Sequence, residues 1–255
     1  MKSLENKVAI VTGAGAGLGK AIAILFARAG AKVIAADINE KTLGEVSTAL
    51  TEQKATYTTV VADMAKAVDI ENMVQTAVAS YGTVDILVNN AGVMDNFALT
   101  ADVTDQLWER VMRINLDGPF KAIRAVLQIM LAKQSGVIIN IASIGGLQGA
   151  RAGAAYTTSK HALIGLTKNT GYVYAKSGVR CNAIAPGAMD TSIGDTIDMS
   201  HLSPLVTERI LPGMAMNPRV ADPLEVARIA LFLASDEASF INGAVIVADG
   251  GWTSY

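Results

Sequence analysis

The sequence predicts an α/β fold: a single doubly wound parallel sheet of about seven strands, with helices on both faces. Three observations carry this. Short apolar runs rich in Val and Ile recur along all 255 residues. Stretches of helical apolar spacing lie between them. No linker, internal repeat or low-complexity segment divides the chain, so one domain spanning residues 1–255 is expected. Continuous apolar strands suit a parallel sheet covered on both faces, and regular strand–helix alternation implies the α/β class.

The elements follow in order. The first run, residues 8–11, is followed by Ile22, Leu25, Phe26 and Ala29, the i, i+3, i+4, i+7 spacing of a buried helix face. Gly30 then stands where helices end in the left-handed conformation. Further strands are expected at residues 32–36, 57–62, 84–88, 136–141, 180–185 and 244–248. The irregular stretch 186–222 holds Pro204, Pro212 and Pro218. Within it, residues 189–218 are expected to form a substrate lid whose helical pieces are broken by Pro204, Pro212 and Gly213.

Composition narrows the function. Hydrophobic residues make up 51% and charged residues 17% of the chain, against about 25% charged in an average soluble domain. The chain can bury a large core, with apolar surface left over for other subunits, including the tail Gly250-Gly251-Trp252. The formal net charge of −2 lacks the basic excess of nucleic-acid proteins. The apolar run 21–27 falls far short of a membrane span, and the N-terminal apolar stretch is too short for a signal peptide. A cytoplasmic protein is expected. Cys181, the single cysteine, forbids an intrachain disulfide, and two histidines argue against a histidine-built metal site.

The first strand runs into Thr12-Gly13-Ala14-Gly15-Ala16-Gly17-Leu18-Gly19. The spacing is GxxxGxG through Gly13, Gly17 and Gly19, not GxGxxG. A glycine turn opening a helix lets backbone N–H groups meet a pyrophosphate. Asp37 ends the second strand about 20 residues further on, where a carboxylate grips the adenosine ribose hydroxyls. It would repel a 2′-phosphate, so NAD is expected over NADP.

Two segments read Tyr-x-x-x-Lys, each with a serine 13 residues upstream. Tyr172 and Lys176 would have Ser159 on their own helix, about 20 Å away at 1.5 Å per residue. Ser143 instead follows a strand, and a glycine-rich loop returns the chain to the helix of Tyr156 and Lys160. Only this second set can converge, at the carboxyl ends of the strands. Tyrosine titrates near 10. A neighbouring ammonium and an oxidised nicotinamide would lower that value towards the range useful for acid–base work.

With these motifs in order, the whole chain resembles the short-chain dehydrogenase/reductase family, with its Rossmann-type fold. The resemblance implies Gly13, Gly17, Leu18 and Gly19 as the cofactor loop and Asp37 at the ribose. Within Val61-Ala62-Asp63-Met64, Asp63 would meet the adenine and Met64 lie beside it. Asn90, Ala91 and Gly92 of the NNAG element would flank the adenosine ribose. It implies a catalytic set of Asn115, Ser143, Tyr156 and Lys160, with Lys160 also on the nicotinamide ribose. Pro186, Gly187 and Thr191, with Ile193, resemble the stretch that clasps the carboxamide. Relatives are commonly homotetramers, and the same is expected here.

The expected activity is NAD(H)-dependent interconversion of a secondary alcohol, polyol or sugar with its carbonyl. A 3-oxoacyl-(acyl-carrier-protein) reductase is the alternative, though Gly171-Tyr172-Val173-Tyr174 lacks the arginine such relatives carry there. An inactive dinucleotide-sensing module would have lost a member of the Ser–Tyr–Lys set, and none is lost. Met189, Met199, Met214 and Met216 would line an apolar wall, with Asp190, Asp195, Asp198 and His201 able to meet hydroxyls. No arginine precedes Arg209 in the lid, which disfavours anionic substrates. His161 and Cys181 are expected to be structural.

Overall fold

The computed structural model describes residues 3–191, 193, 197 and 202–254. Seven parallel strands form one sheet in the order β3-β2-β1-β4-β5-β6-β7. They are β1 Val8–Thr12, β2 Lys32–Asp37, β3 Tyr57–Val61, β4 Ile86–Asn89, β5 Gly136–Ile141, β6 Val179–Pro186 and β7 Val245–Ala248. Every expected strand is present, within two residues at each end. The order reverses between β1 and β4, and the crevice at such a switch point is where ligands of doubly wound sheets bind.

The helices are α1 Gly17–Arg28, α2 Glu40–Glu52, α3 Ala67–Tyr81, α4 Asp105–Met112, α5 Gly118–Ala132, α6 Ala154–Val173, α7 Pro204–Arg209, α8 Leu211–Ala215 and α9 Pro223–Ala234. β1 shows how the layers arise. Its alternate side chains point to opposite faces, so Ala9 and Val11 join the core under α1, α2 and α9. Val8 and Ile10 join the core under α3 and α5. Phe26, Ile22, Leu233 and Ala230 fill the first core; Met73, Ile70, Val126 and Met130 fill the second. Phe26 is fully buried, and truncating such a side chain to Ala costs about 3–5 kcal/mol. Continuous burial holds for β1 and for β4. It fails at the two edges, β3 and β7, where one side lacks a neighbouring strand.

Gly30 takes φ +95° after α1, as its position requires. Between β6 and α9 the structure departs from expectation. Pro204 and Pro212 open α7 and α8 rather than breaking helices, since a first-turn proline gives up no hydrogen bond. The segment is pinned near both ends by a short parallel bridge between Met189 and Ala221. Asp195, Asp198, Met199 and His201 lie outside the described residues. Among the described residues, no helix is long and apolar enough to cross a membrane.

Candidate active site

The glycine turn is built so that backbone alone faces the crevice. Gly13 takes φ +65°, and a Cβ on Gly19 would stand 2.0 Å from the Gly13 carbonyl oxygen. α1 has no side-chain cap and no acidic residue in its first turn, so its positive end is open to an anion. Leu18 is buried beneath it. A Cβ on Gly17 would touch the side chain of Thr191. Thr191 therefore sits over the turn.

The NNAG element is stitched to that turn. Thr12 Oγ1 accepts the N–H groups of Asn90 and Ala91 at 3.0 and 3.1 Å. The Asn90 amide donates back to the carbonyls of Thr12 and Gly13 at 2.9 and 3.1 Å. The side chain of Asn90 thus does structural work. Asp37 Oδ2 accepts the Gly15 N–H at 2.8 Å, and Oδ1 accepts the Asn39 N–H at 2.9 Å. A carboxylate has about four lone-pair sites, so two remain for a ligand. Among the described residues no ammonium or guanidinium pairs with Asp37. Asp63 follows β3 and holds the Ala65 N–H at 2.9 Å, with Met64 buried beside it. Pro186 ends β6, and the Gly187 N–H is held by Ala248.

Ser143, Tyr156 and Lys160 converge. The extended backbone at Ser143 leaves β5, and its Oγ accepts the Gly145 N–H at 3.0 Å. The Tyr156 ring comes to the same spot: a Cβ on Gly145 would stand 3.4 Å from Ser143 Oγ and 3.5 Å from Tyr156 Cε1, and the serine favours the ionised phenol. One turn further along α6, Lys160 Nζ donates to the Ile141 carbonyl at 2.8 Å and lies 5.5 Å from the Tyr156 ring centroid. A Cβ on Gly92 would stand 3.5 Å from Lys160 Nζ, so the NNAG element approaches the lysine closely. Asn115 lies fully buried on a π-turn, Arg113–Asp117, joining α4 to α5. Its amide pairs with both backbone groups of Val93 and donates to Ser159 Oγ at 3.2 Å. Ser159, assigned above to the rejected pair, in fact ties Asn115 to the catalytic helix. Tyr172 and Lys176 are exposed, far along α6 or beyond it. Cys181 is buried, and burial pushes its thiol up to about 12.

Three expectations need correction. The ammonium and an oxidised nicotinamide together were to lower the Tyr156 phenol; in the chain by itself burial pushes it up to about 12, outweighing the effect of Ser143. The charge of Asp95 raises it further. Burial likewise pulls Lys160 down to about 8. Desolvation disfavours both charged forms. The second correction is Trp252, expected between subunits but already 3% exposed within one chain. The third is the guanidinium that inspection of the lid alone missed. Arg151, from the loop after Ser143, donates to the Gly213 carbonyl at 2.7 Å and stacks 4.6 Å over Trp252. Asp95 was also missed, although it is fully buried beside the catalytic helix.

Residues 13–253 match the family model described as enoyl-(acyl carrier protein) reductase. The chain is 43% identical over 253 residues to 3beta-hydroxysteroid dehydrogenase 2 of Eggerthella lenta, covering 99% of this chain and 96% of the relative. This chain belongs to the short-chain dehydrogenase/reductase family. It is also 36% identical to 3-oxoacyl-(acyl-carrier-protein) reductase of Thermotoga maritima, over 97% of this chain and 98% of that protein. A solved structure assigned as an NAD(P)-dependent gluconate 5-dehydrogenase of Beutenbergia cavernae holds NADP at low occupancy. It is 37% identical and superposes with a TM-score of 0.88, covering 100% of this chain and 99% of that one. This short-chain dehydrogenase/reductase is thus an oxidoreductase acting on CH–OH groups, built on the family's seven-stranded Rossmann-type sheet.

Proposed function

We propose that this enzyme is an NAD(H)-linked dehydrogenase interconverting an uncharged, largely apolar secondary alcohol and its ketone. The observation that carries the reading is the convergence of Ser143, Tyr156 and Lys160 beside the glycine turn. The bare turn, the open end of α1 and the two remaining lone-pair sites of Asp37 fit a dinucleotide. Gly13, Gly17, Leu18, Gly19, Asp63, Met64, Asn90, Ala91, Gly92, Pro186, Gly187 and Thr191 complete its proposed path. Asp37 without a cation favours NAD over the NADP found in the Beutenbergia structure.

When bound, the nicotinamide supplies the hydride acceptor or donor. The chain's own residues handle the proton. In oxidation, Tyr156 Oη takes the proton of the alcohol oxygen while hydride leaves the adjoining carbon; in reduction it returns a proton to the carbonyl oxygen. The Ser143 hydroxyl hydrogen-bonds the same oxygen and holds it against Tyr156. Lys160 supplies positive charge under the ring and binds the nicotinamide ribose, while Asn115 keeps the floor of the site in place.

The segment from β6 to α9 acts as the lid. Val206 of α7, Ile210 between the two helices, and Leu211 and Met214 of α8 form an apolar cluster with Phe97 and Leu99. Such a wall favours an apolar skeleton over a polyol or sugar, in keeping with the hydroxysteroid named for the Eggerthella relative. The second reading, a carrier-bound 3-oxoacyl substrate, is favoured by the Thermotoga relative. NAD+ reduction assayed across 3-hydroxysteroids, cyclohexanols, sugar alcohols and 3-hydroxyacyl thioesters separates them. Turnover confined to the thioesters would overturn the proposal.

Assembly as a homotetramer is part of the same proposal. Exposed apolar side chains include Trp108, Phe120 and Tyr172 on α4, α5 and α6, and Phe232, Phe240 and Val247 on or near α9 and β7. Exposed apolar side chains of this size suit burial against other copies of the chain.

A further inference from the structure

Helix α6, which carries Tyr156 and Lys160, has no side-chain cap of its own. The first N–H groups of a helix lack partners within it and must find them elsewhere. Here a turn more than 50 residues away supplies them. Asp95 Oδ1 accepts the Gly153 N–H at 3.1 Å, and Oδ2 accepts the Tyr156 N–H at 2.8 Å. The Ala98 carbonyl accepts the Ala154 N–H at 2.9 Å. A Cβ on Gly153 would stand 2.6 Å from Asp95 Oδ2, so the contact admits no side chain.

The turn that does this is strained. Asn96 and Phe97 both take positive φ, +53° and +56°. Asn tolerates the left-handed region, but Phe does so only at a cost. The Phe97 ring is anchored in the apolar cluster with Val206 and Ile210, which holds the turn in shape. Asp95 itself is 0% exposed. All its partners are backbone N–H groups, and no cation pairs with it among the described residues. A buried carboxylate is costly unless paired or hydrogen-bonded, and a neutral cap would satisfy an N-terminus at less cost. The charge therefore calls for its own explanation.

We propose that Asp95 is a positioning residue: it holds the first turn of α6, and so the Tyr156 hydroxyl, while its buried negative charge acts on that hydroxyl. The proposal rests on Tyr156 being the acid–base. Among the described residues, the charged and titratable groups around Tyr156 are Lys160 on its own helix, Asp95 from the β4–α4 turn, and Arg151 beside Gly145 on the loop after β5. Burial keeps the phenol protonated, and the Asp95 charge adds to it in the same direction, against Lys160. The acid form is thus held in reserve in the free enzyme.

The test is a titration of the whole protein labelled with 13Cζ-tyrosine, with the Tyr156 signal assigned from Tyr156→Phe. In Asp95→Asn the Tyr156 midpoint should fall by at least about half a pH unit, and the Tyr156 amide should exchange faster. NADH affinity, read by fluorescence, should stay within about threefold of wild type. An unchanged Tyr156 midpoint overturns the proposal, even if the variant melts at a lower temperature, because a merely structural cap would do that. Should Asp95→Asn fail to fold, the wild type still decides. Acidification through the Asp95 titration should move the Tyr156 13Cζ and amide signals together, and their indifference to it overturns the proposal. Full turnover by Tyr156→Phe would instead defeat the acid–base reading and leave the Asp95 titration result standing.

Discussion

Lys160 Nζ donates to the carbonyl oxygen of Ile141 at 2.8 Å, so the middle of the catalytic helix is fastened to the end of β5. Ser143 lies two residues beyond Ile141. The lysine therefore sets the distance between strand end and helix as well as placing a charge beneath Tyr156. Replacing it should disturb both functions. Lys160→Ala is expected to weaken NADH binding and to lower kcat. Tyr156→Phe should remove only the transferable proton, cutting kcat by about 10²-fold or more with NADH affinity nearly unchanged. Stopped-flow turnover and fluorescence titration of the two variants check this. A Phe variant with a tenth of wild-type rate would refute the assignment.

The buried lysine also predicts how stability depends on pH. Its folded value, near 8, lies below the 10.5 of the exposed group. Below pH 8 both states bind the proton, and the folded state bears the full cost of burying the charge. Between about 8 and 10.5 the unfolded chain binds more protons, so stability rises with pH through that window. Lys160→Met removes the effect. The difference in stability, wild type minus variant, should grow by about 1–3 kcal/mol from pH 7.5 to 10. Tyr156, raised to about 12, opposes stability only above pH 10. Urea unfolding at pH 7.5, 9 and 10 gives the comparison, and parallel curves would show that Lys160 titrates normally.

Asp37 should govern the choice of cofactor. Its carboxylate holds Gly15 and Asn39 and, among the described residues, meets no cation, so a 2′-phosphate there would face uncompensated negative charge. kcat/KM for NAD+ should exceed that for NADP+ by about tenfold or more, which corresponds to at least about 1.4 kcal/mol. Asp37→Ser should narrow the gap, though at some cost in stability because the Gly15 N–H loses its acceptor. Equal kcat/KM for the two cofactors in the wild type would contradict this.

Legibility in the sequence followed the range of the interactions. Strands and main helices were readable because their apolar periodicity is local. The glycine turn, Asp37 and the Ser143–Tyr156–Lys160 set were readable because each is a short motif in a fixed place between elements. What escaped was held by long-range bonds. Asp95 caps a helix 61 residues away, and a carboxylate in Met94-Asp95-Asn96 looks like any turn residue. Ser159 was set aside by its spacing to Tyr172, yet its partner is Asn115 on another helix. The upward shift of Tyr156 was missed because burial, unlike the nearness of Lys160, does not follow from residue spacing. Pro204 and Pro212 misled for a related reason: a proline marks a helix start and a helix break with the same letter.

Arg151 joins three parts of the chain near the proposed substrate site. Its Nε donates to Gln148 at 2.7 Å, its Nη1 to the Gly213 carbonyl in α8, and its guanidinium stacks on Trp252. Trp252 donates to the same Gly213 carbonyl at 3.0 Å. One backbone oxygen in the lid thus receives both the catalytic loop and the C-terminal tail. The contact is mostly buried, where a hydrogen bond to a charged group contributes about 1.5–3 kcal/mol and the cation–π contact about 1–2 kcal/mol. Losing both should loosen α7 and α8 more than the sheet. In Arg151→Met, amide exchange across residues 204–215 should speed up by about tenfold or more, while α1 and β5 keep their protection. In the wild type, exchange across 202–218 should slow when NADH and a ketone bind, because closure over the apolar cluster of Phe97, Val206 and Ile210 excludes water. KM for the ketone should then rise in the variant more than KM for NADH. Equal exchange across 202–218 in free and bound wild type would mean a rigid wall, and substrate choice would then rest on Met94, Leu147 and Gln148 around the catalytic loop.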